Sequence, residues 1–158
     1  MTTATATHTS SATSFGIFTI KRLLKASPER VYAAWSTAEG KMRWFKAPAG
    51  EWEQVERKFD FRVGGREHLV GRWQNGMISE FDCTYRDIVP NRRIVYVYDL
   101  TVSGKKISVS LATIDFSPEG EGTRMVLTEQ GAFLDGYEDA GAREKGTNAL
   151  MDALEASF

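Results

Sequence analysis

Between residues 52 and 131 the sequence consists of short runs in which apolar and polar residues alternate, and turn-forming residues separate these runs. An alternation with a period of two is typical of β-strands. Gly64-Gly65 and Gln74-Asn75-Gly76 lie between such runs and indicate hairpin turns. We therefore predict a curved antiparallel sheet of consecutive strands. Such a sheet needs a second layer to cover its apolar face.

Helical patterns before and after this region provide that layer. A first strand is predicted at residues 15–24, and Ser27 and Pro28 then begin a short helix, since serine caps helices and proline suits the first turn. Thr37 can cap a second short helix, whose apolar side chains are those of Met42, Trp44 and Phe45. The pattern favours an α+β fold.

The last predicted element is a long amphipathic helix over residues 138–158. Its apolar stripe includes Leu150 and Leu154 and also carries Arg143 and Thr147. We expect this helix to lie across the concave face of the sheet. Gly146 adjoins the stripe, where it would allow the sheet to approach closely.

Composition limits the classes of function. The 158 residues suit one domain, predicted at residues 15–158 after a flexible Thr/Ser/Ala-rich tail at residues 1–14. Lys and Arg total 20 against 21 Asp and Glu, so a nucleic-acid partner is not expected. No apolar run is long enough to span a membrane. The single cysteine, Cys83, excludes an internal disulfide and fits a cytoplasmic location.

Several motifs in a fixed order resemble the SRPBCC superfamily, which has the START-like, helix-grip fold, and within it the branch named after the activator of heat-shock protein 90 ATPase. The motifs are Ser27-Pro28-Glu29-Arg30-Val31-Tyr32-Ala33-Ala34-Trp35, Trp44, Val63-Gly64-Gly65, Val89-Pro90 followed by Arg93-Ile94-Val95, and Gly122-Thr123-Arg124. The resemblance implies a curved antiparallel sheet wrapped around the C-terminal helix, with two short helices after the first strand.

Two positions depart from the pattern of many relatives. Glu129 stands where these relatives have a histidine at the end of the last strand. Gly146-Thr147 stands where they have Gly-Trp in the C-terminal helix. The smaller Thr147 is expected to enlarge or reshape a cavity between sheet and helix.

Strand parity predicts which side chains face such a cavity. If the apolar sets face the helix, the polar residues Glu67, Ser108, Ser110 and Glu129 do so too. The full predicted lining is Trp35, Trp44, Glu67, Leu69, Trp73, Phe81, Tyr96, Tyr98, Ser108, Ser110, Met125, Leu127, Glu129, Arg143 and Thr147.

Arg143 needs a partner if it points inward, because a buried unpaired charge costs about 3–5 kcal/mol. We expect it to pair with Glu129 or Glu67, or alternatively to extend past the sheet to solvent. The segment 133–137 can act as a lid over the cavity or as a plain connector that plugs the core.

Three functions remain open. The first is binding of a small hydrophobic or amphipathic molecule in the cavity. The second is a polyketide-cyclase-like enzyme in which Glu67 and Glu129 are the candidate catalytic residues. The third, a chaperone ATPase-regulating partner, is implied by the resemblance alone. No metal site or cofactor is expected, because no His, Cys and carboxylate cluster has ligand spacing. A homodimer stays open.

Overall fold

The computed structural model describes residues 12–158, so most of the predicted N-terminal tail lies outside the described residues. Seven strands and three helices follow one another along the chain. They are β1 (Thr13–Leu24), α1 (Pro28–Ser36), α2 (Ala38–Trp44), β2 (Trp52–Phe59), β3 (Arg66–Trp73), β4 (Ile78–Val89), β5 (Arg93–Val102), β6 (Lys105–Glu119), β7 (Gly122–Leu134) and α3 (Ala140–Ala156).

The strands form one antiparallel sheet in the order β1-β7-β6-β5-β4-β3-β2. Strands β2 to β7 are consecutive neighbours joined by hairpins, and β1 pairs with β7 through twelve residues of regular register. The sheet and the two short helices after β1 confirm the predicted α+β architecture.

The three helices cover one face of the sheet, which we call the inner face. Phe18 and Ile20 of β1 are buried there with Trp35 and Met151 of the helices. On the opposite, outer face, Phe15 remains 78% exposed. The alternation of the sequence thus separates a packed face from an open one.

Side-chain caps fix where the helices begin. The Ser27 side chain accepts a hydrogen bond from the Arg30 amide, and Thr37 accepts one from Gly40, as predicted. Asp139 caps α3 by accepting from the Ala142 amide at 2.8 Å. Helix α3 therefore begins slightly later than the predicted residue 138.

Met42 lies on α2, as predicted, but points outward and is 47% exposed. Strand β2 ends at Phe59, and Phe61 lies in the following loop. The prediction that the sheet approaches closely at Gly146 was wrong. Gly146 is exposed, and a Cβ there would meet open space; the close approach occurs instead between Gly16 and Ala140.

Strand β7 extends to Leu134, further than predicted, and Phe133 near its end is buried at 1% exposure. Phe133 therefore belongs to the core, as in the connector alternative. Within the described part of the chain, none of the helices is long and apolar enough to cross a membrane.

Candidate functional site

The register of the sheet places the inward polar residues in two adjacent rows on the inner face. One row of cross-strand partners is Glu67, Cys83, Tyr98 and Ser110. The next row is Tyr85, Tyr96, Ala112 and Glu129. The two carboxylates therefore stand on different strands with tyrosines between them.

Glu67 is the centre of the first polar cluster, which joins β3, β4 and α2. Lys41 Nζ lies 3.0 Å from Glu67 Oε1, and the two side chains are 3% and 0% exposed. The Tyr85 hydroxyl donates to the same carboxylate oxygen. A charged pair this deeply buried is stable only when such hydrogen bonds compensate for lost hydration.

Aromatic rings surround the ammonium group of Lys41. Nζ lies 4.8 Å from the ring centre of Phe45 and 5.2 Å from that of Trp35, and Trp44 and Tyr96 are within 5.8 Å. Cation–π attraction to the faces of these rings adds to the single hydrogen bond with Glu67. The cluster thus binds α2 firmly to the sheet.

Arg143 is the centre of the second polar cluster, where α3 begins. Its guanidinium donates to Tyr98 at 2.7 Å, to Ser108 at 2.6 Å and to Glu138 at 2.7 Å. Glu129 Oε2 lies 3.5 Å from Arg143 Nη1. The predicted pairing with Glu129 is therefore present. Arg143 is only 6% exposed, so the alternative in which it extends to solvent is wrong.

Burial changes the proton affinities of these groups. It raises the pKa of Glu129 above its ordinary value, although Arg143 and the Tyr98 hydroxyl act in the opposite direction. Burial also raises the pKa values of Tyr85, Tyr96 and Tyr98. The three phenols therefore stay protonated at neutral pH, and two of them act as donors: Tyr85 to Glu67, and Tyr98 to Glu129 at 2.9 Å.

Two carboxylate oxygens of these clusters are buried without a hydrogen-bond donor among the described residues. They are Oε2 of Glu67 and Oε2 of Glu129. The indole Nε1 of Trp35 is also buried without an acceptor. Glu129 Oε2 still faces the Arg143 guanidinium at 3.5 Å, whereas Glu67 Oε2 and Trp35 Nε1 have no hydrogen-bond partner among the described residues. Because buried polar atoms are nearly always hydrogen-bonded, the unused hydrogen-bonding capacity of these atoms is open to groups that the chain itself does not supply.

The two clusters are connected by packed aromatic rings. The ring centres of Tyr96 and Tyr98 are 6.0 Å apart, and Phe81 lies 4.8 Å from Tyr98. Phe81 in turn contacts Phe45 at 4.9 Å and is the cross-strand partner of Leu100. Phe45, Phe81 and Leu100 are only half-buried, and we call these three residues the rim.

Most of the predicted lining is brought together on the inner face. The buried members are Trp35, Trp44, Glu67, Leu69, Tyr96, Tyr98, Ser108, Ser110, Met125, Leu127, Glu129, Arg143 and Thr147. Phe81 is at the rim. Trp73 is half-buried at the end of β3 and donates to Ser79 Oγ, away from both clusters.

Three residues of the two polar clusters, Lys41, Tyr85 and Glu138, were not predicted from the sequence. Lys41 precedes Trp44 by three positions, which places both on one helical face. Tyr85 follows Phe81 and Cys83 at strand spacing, so its inward orientation was recognisable from parity. Glu138 carries no such pattern, because it lies in the loop before α3.

Two surface hollows of about 460 and 580 Å³ lie on the outer face of the sheet. Neither lies between the sheet and α3, where the aromatic rings described above are packed. The expected enlargement of the interior by Thr147 stays a prediction. Among residues 12–158, no three or more His, Cys, Asp or Glu side chains are arranged to hold a metal ion.

A sheet with two short helices after its first strand and a long C-terminal helix on the same face defines the helix-grip class. Residues 25–158 match the family model described as Activator of Hsp90 ATPase homolog 1-like protein. The chain belongs to this family. The fold supports a ligand-binding domain in general and is compatible with small-molecule binding.

Solved structures agree with this assignment. A Rhizobium leguminosarum protein is 44% identical, with 92% of this chain and 95% of that chain covered and a TM-score of 0.86. A Rhizobium loti protein is 39% identical, with coverages of 93% and 99% and a TM-score of 0.86. An Activator-of-Hsp90-ATPase-like protein from Aeromonas hydrophila is 18% identical, with coverages of 89% and 90%; its TM-score of 0.66 shows the shared fold. None of the proteins of curated function matches significantly.

Proposed function

We propose that the protein binds a small amphipathic molecule on the inner face of its sheet. The site lies between the first polar cluster, around Glu67, and the second, which contains Arg143 and Glu129. The observation that carries this proposal is that each cluster holds a buried carboxylate oxygen with no hydrogen bond, Glu67 Oε2 and Glu129 Oε2, the latter 3.5 Å from the Arg143 guanidinium. A core that served packing alone would gain nothing from leaving these oxygens without hydrogen bonds, because an unsatisfied buried acceptor costs about 1–3 kcal/mol.

The chemistry of the site limits the ligand. Carboxylate oxygens accept hydrogen bonds, so the ligand presents hydroxyl or N–H donors to Glu67 and Glu129. Tyr96 and Tyr98 offer ring faces between them, which suits a flat apolar body. We therefore infer an aromatic or alicyclic molecule with donors at two separated positions.

The ligand enters by displacing the rim residues. Phe81 lies beside the Tyr98 ring, and the other rim residues, Phe45 and Leu100, lie next to Phe81. Rotation of the phenylalanine side chains opens a path without breaking the sheet. The site is therefore closed in the free protein and opens on binding, which lowers affinity by the cost of opening.

Native mass spectrometry of freshly purified protein tests this function. We expect a noncovalent adduct that is released on denaturation and is reduced in Glu67→Gln and Glu129→Gln variants. Glu119→Gln, at an exposed position, is the matched control and should retain the adduct. Equal adducts in all four proteins would contradict the assignment of the site.

A second candidate function is polyketide-cyclase-like catalysis at the same position. The raised pKa of Glu129 favours it, because a carboxyl group closer to neutrality exchanges protons more effectively near pH 7. Glu129 would then transfer a proton at an enol or carbonyl group of the bound molecule. Unchanged turnover of an identified substrate by Glu67→Gln and Glu129→Gln would rule it out.

We propose a cytoplasmic site of action, as predicted from the single cysteine. The chaperone-regulating role and the homodimer remain predictions. The chaperone-regulating role is tested by measuring whether the purified protein stimulates a chaperone ATPase. The homodimer is tested by sedimentation equilibrium.

A further inference from the structure

A hollow of about 460 Å³ opens on the outer face of the sheet, where β4 and β5 join. Four cationic side chains line it: Lys21 of β1, Arg124 of β7, and Arg92 and Arg93 at the β4–β5 turn. They come from three separate segments of the chain. The fold, rather than a basic run of sequence, brings these charges together.

Three of these cations have no ion-pair partner within residues 12–158. They are Lys21, Arg92 and Arg124, whereas Arg93 binds Asp87 at 2.7 Å. Asp115 also lines the hollow and is the cross-strand partner of Arg93. The hollow therefore has a local excess of positive charge, with four cations against the carboxylates of Asp87 and Asp115. The whole chain, by contrast, has a net charge of −1. An anion in the hollow would relieve this local repulsion.

The turn that carries Arg92 is held rigidly. The Arg92 amide donates to the Val89 carbonyl at 3.0 Å, and Asn91 between them has a φ of 63°. Pro90 precedes Asn91, which gives the pattern of a type II turn. The Arg92 carbonyl accepts from the Phe116 amide at 2.9 Å. The backbone from which Arg92 extends is therefore fixed against β6.

The hollow also has an apolar part. Val89 and Val126 are half-buried and line it together with Ser117, whose hydroxyl is a further donor. Cations beside an apolar surface suit an anionic group attached to an apolar body. The volume is within the range of about 300–1,000 Å³ that is typical of ligand pockets.

We propose that this outer hollow binds a phosphorylated small molecule. Lys21, Arg92 and Arg124 hold the phosphate, and the apolar body lies on Val89 and Val126. A phosphate group carries up to two charges and three acceptor oxygens, which matches several converging donors better than a carboxylate does. The site is on the opposite face of the sheet from the clusters of Glu67 and Glu129, so it is independent of the proposed function.

Phenyl phosphate is the probe that tests this site, by amide chemical-shift changes in ¹⁵N-labelled protein at about pH 7.5, where phosphate is mainly dianionic. We expect shifts at the amides of Arg93, Ser117 and Val126. Inorganic phosphate should bind more weakly because it lacks the apolar body, and phenol should produce no shifts there. High salt should weaken the binding.

Charge-removing variants at exposed positions make the test specific. The double variant Lys21→Gln/Arg124→Gln should bind phenyl phosphate at least about tenfold more weakly, because two charged contacts are lost. Arg72→Gln is the matched control, since Arg72 is exposed on the same face and has Glu53 as a partner at 3.7 Å. It should leave the affinity unchanged.

Three results would overturn the proposal. The first is the absence of shifts around the hollow. The second is an equal loss of affinity in Arg72→Gln and in the double variant. The third is equal affinity for inorganic and phenyl phosphate, which would show an adventitious ion only. Unaltered circular dichroism spectra of the variants exclude misfolding as the cause of any loss.

Discussion

Lys41 on α2 and Glu67 on β3 form an ion pair with an N–O distance of 3.0 Å, and both side chains are almost completely buried. They are separated by 26 positions in the sequence. The pair fixes the short helices against the sheet next to the proposed ligand site. It is therefore the place where stability and binding are most closely connected.

Replacing Lys41 with methionine should destabilise the protein by about 3–5 kcal/mol, because the buried Glu67 carboxylate loses its cation. Glu67→Gln added to this variant should recover about 2 kcal/mol, since the unpaired charge is then gone while Tyr85 retains an acceptor. Urea unfolding measures both effects.

The exposed pair of Lys58 and Glu56, whose ions are 3.1 Å apart, provides the control for this prediction. Lys58→Met should change the free energy of unfolding by less than about 1 kcal/mol, because solvent screens that pair. A Lys41→Met variant as stable as Lys58→Met would show that the buried pair is not needed.

Glu129 should make stability depend on pH in a defined direction. Burial raises its pKa in the folded state above the ordinary 4.5, so the native protein binds more protons than the unfolded chain between the two values. Stability therefore falls as pH rises through this window. Relative to Glu129→Gln, which cannot titrate, the wild type should lose stability as pH increases above 4.5.

Urea unfolding at a series of pH values checks this, with Glu119→Gln as the control for removal of one exposed carboxylate. A difference between wild type and Glu129→Gln that stays constant across the window, or that moves in favour of the wild type with rising pH, would contradict the assigned shift.

Two glycines should respond oppositely to alanine. Gly146→Ala should stabilise the protein by about 0.5–1 kcal/mol, because a Cβ there meets open space and alanine favours the helix. Gly16→Ala should destabilise it by about 1–3 kcal/mol, since the new Cβ would collide with the Cβ of Ala140. Thermal and urea unfolding measure both; equal effects would disprove the packing of α3 on β1.

Cys83 should be chemically inert in the native protein. It is 1% exposed, and burial raises its pKa to about 12, so almost no thiolate forms near neutral pH. We expect dithiobis(nitrobenzoate) to react with native protein at least about a thousandfold more slowly than with unfolded protein. Similar rates in both states would show that the core opens readily around β4.

Much of the sheet and its inner face could be predicted from the sequence, because alternation with a period of two directly encodes which side chains share a face. Glu67, Ser108, Ser110 and Glu129 were placed inward in this way, and all are buried. Strand parity also predicted that Trp73 lines the cavity. Because Trp73 is the last residue of β3, its side chain is only half-buried.

The first cluster could not be assembled from the sequence. A lysine on a seven-residue helix is ordinarily solvated, and only a partner far away in the chain makes its burial favourable. Arg143 was easier to interpret because it lies on the apolar stripe of a long helix. The difference is that α3 shows a clear periodicity, whereas α2 is too short to do so.

The proposed binding site on the inner face is tested most directly by an NMR titration with dihydroxynaphthalene bearing one hydroxyl on each ring, compared with its dimethoxy analogue. Both have the same flat apolar body, but only the first can donate hydrogen bonds to Glu67 and Glu129. We expect shifts at Tyr96 and Tyr98 and at least about tenfold tighter binding of the dihydroxy compound. Equal affinity of the two compounds, or shifts confined to the outer face, would contradict it.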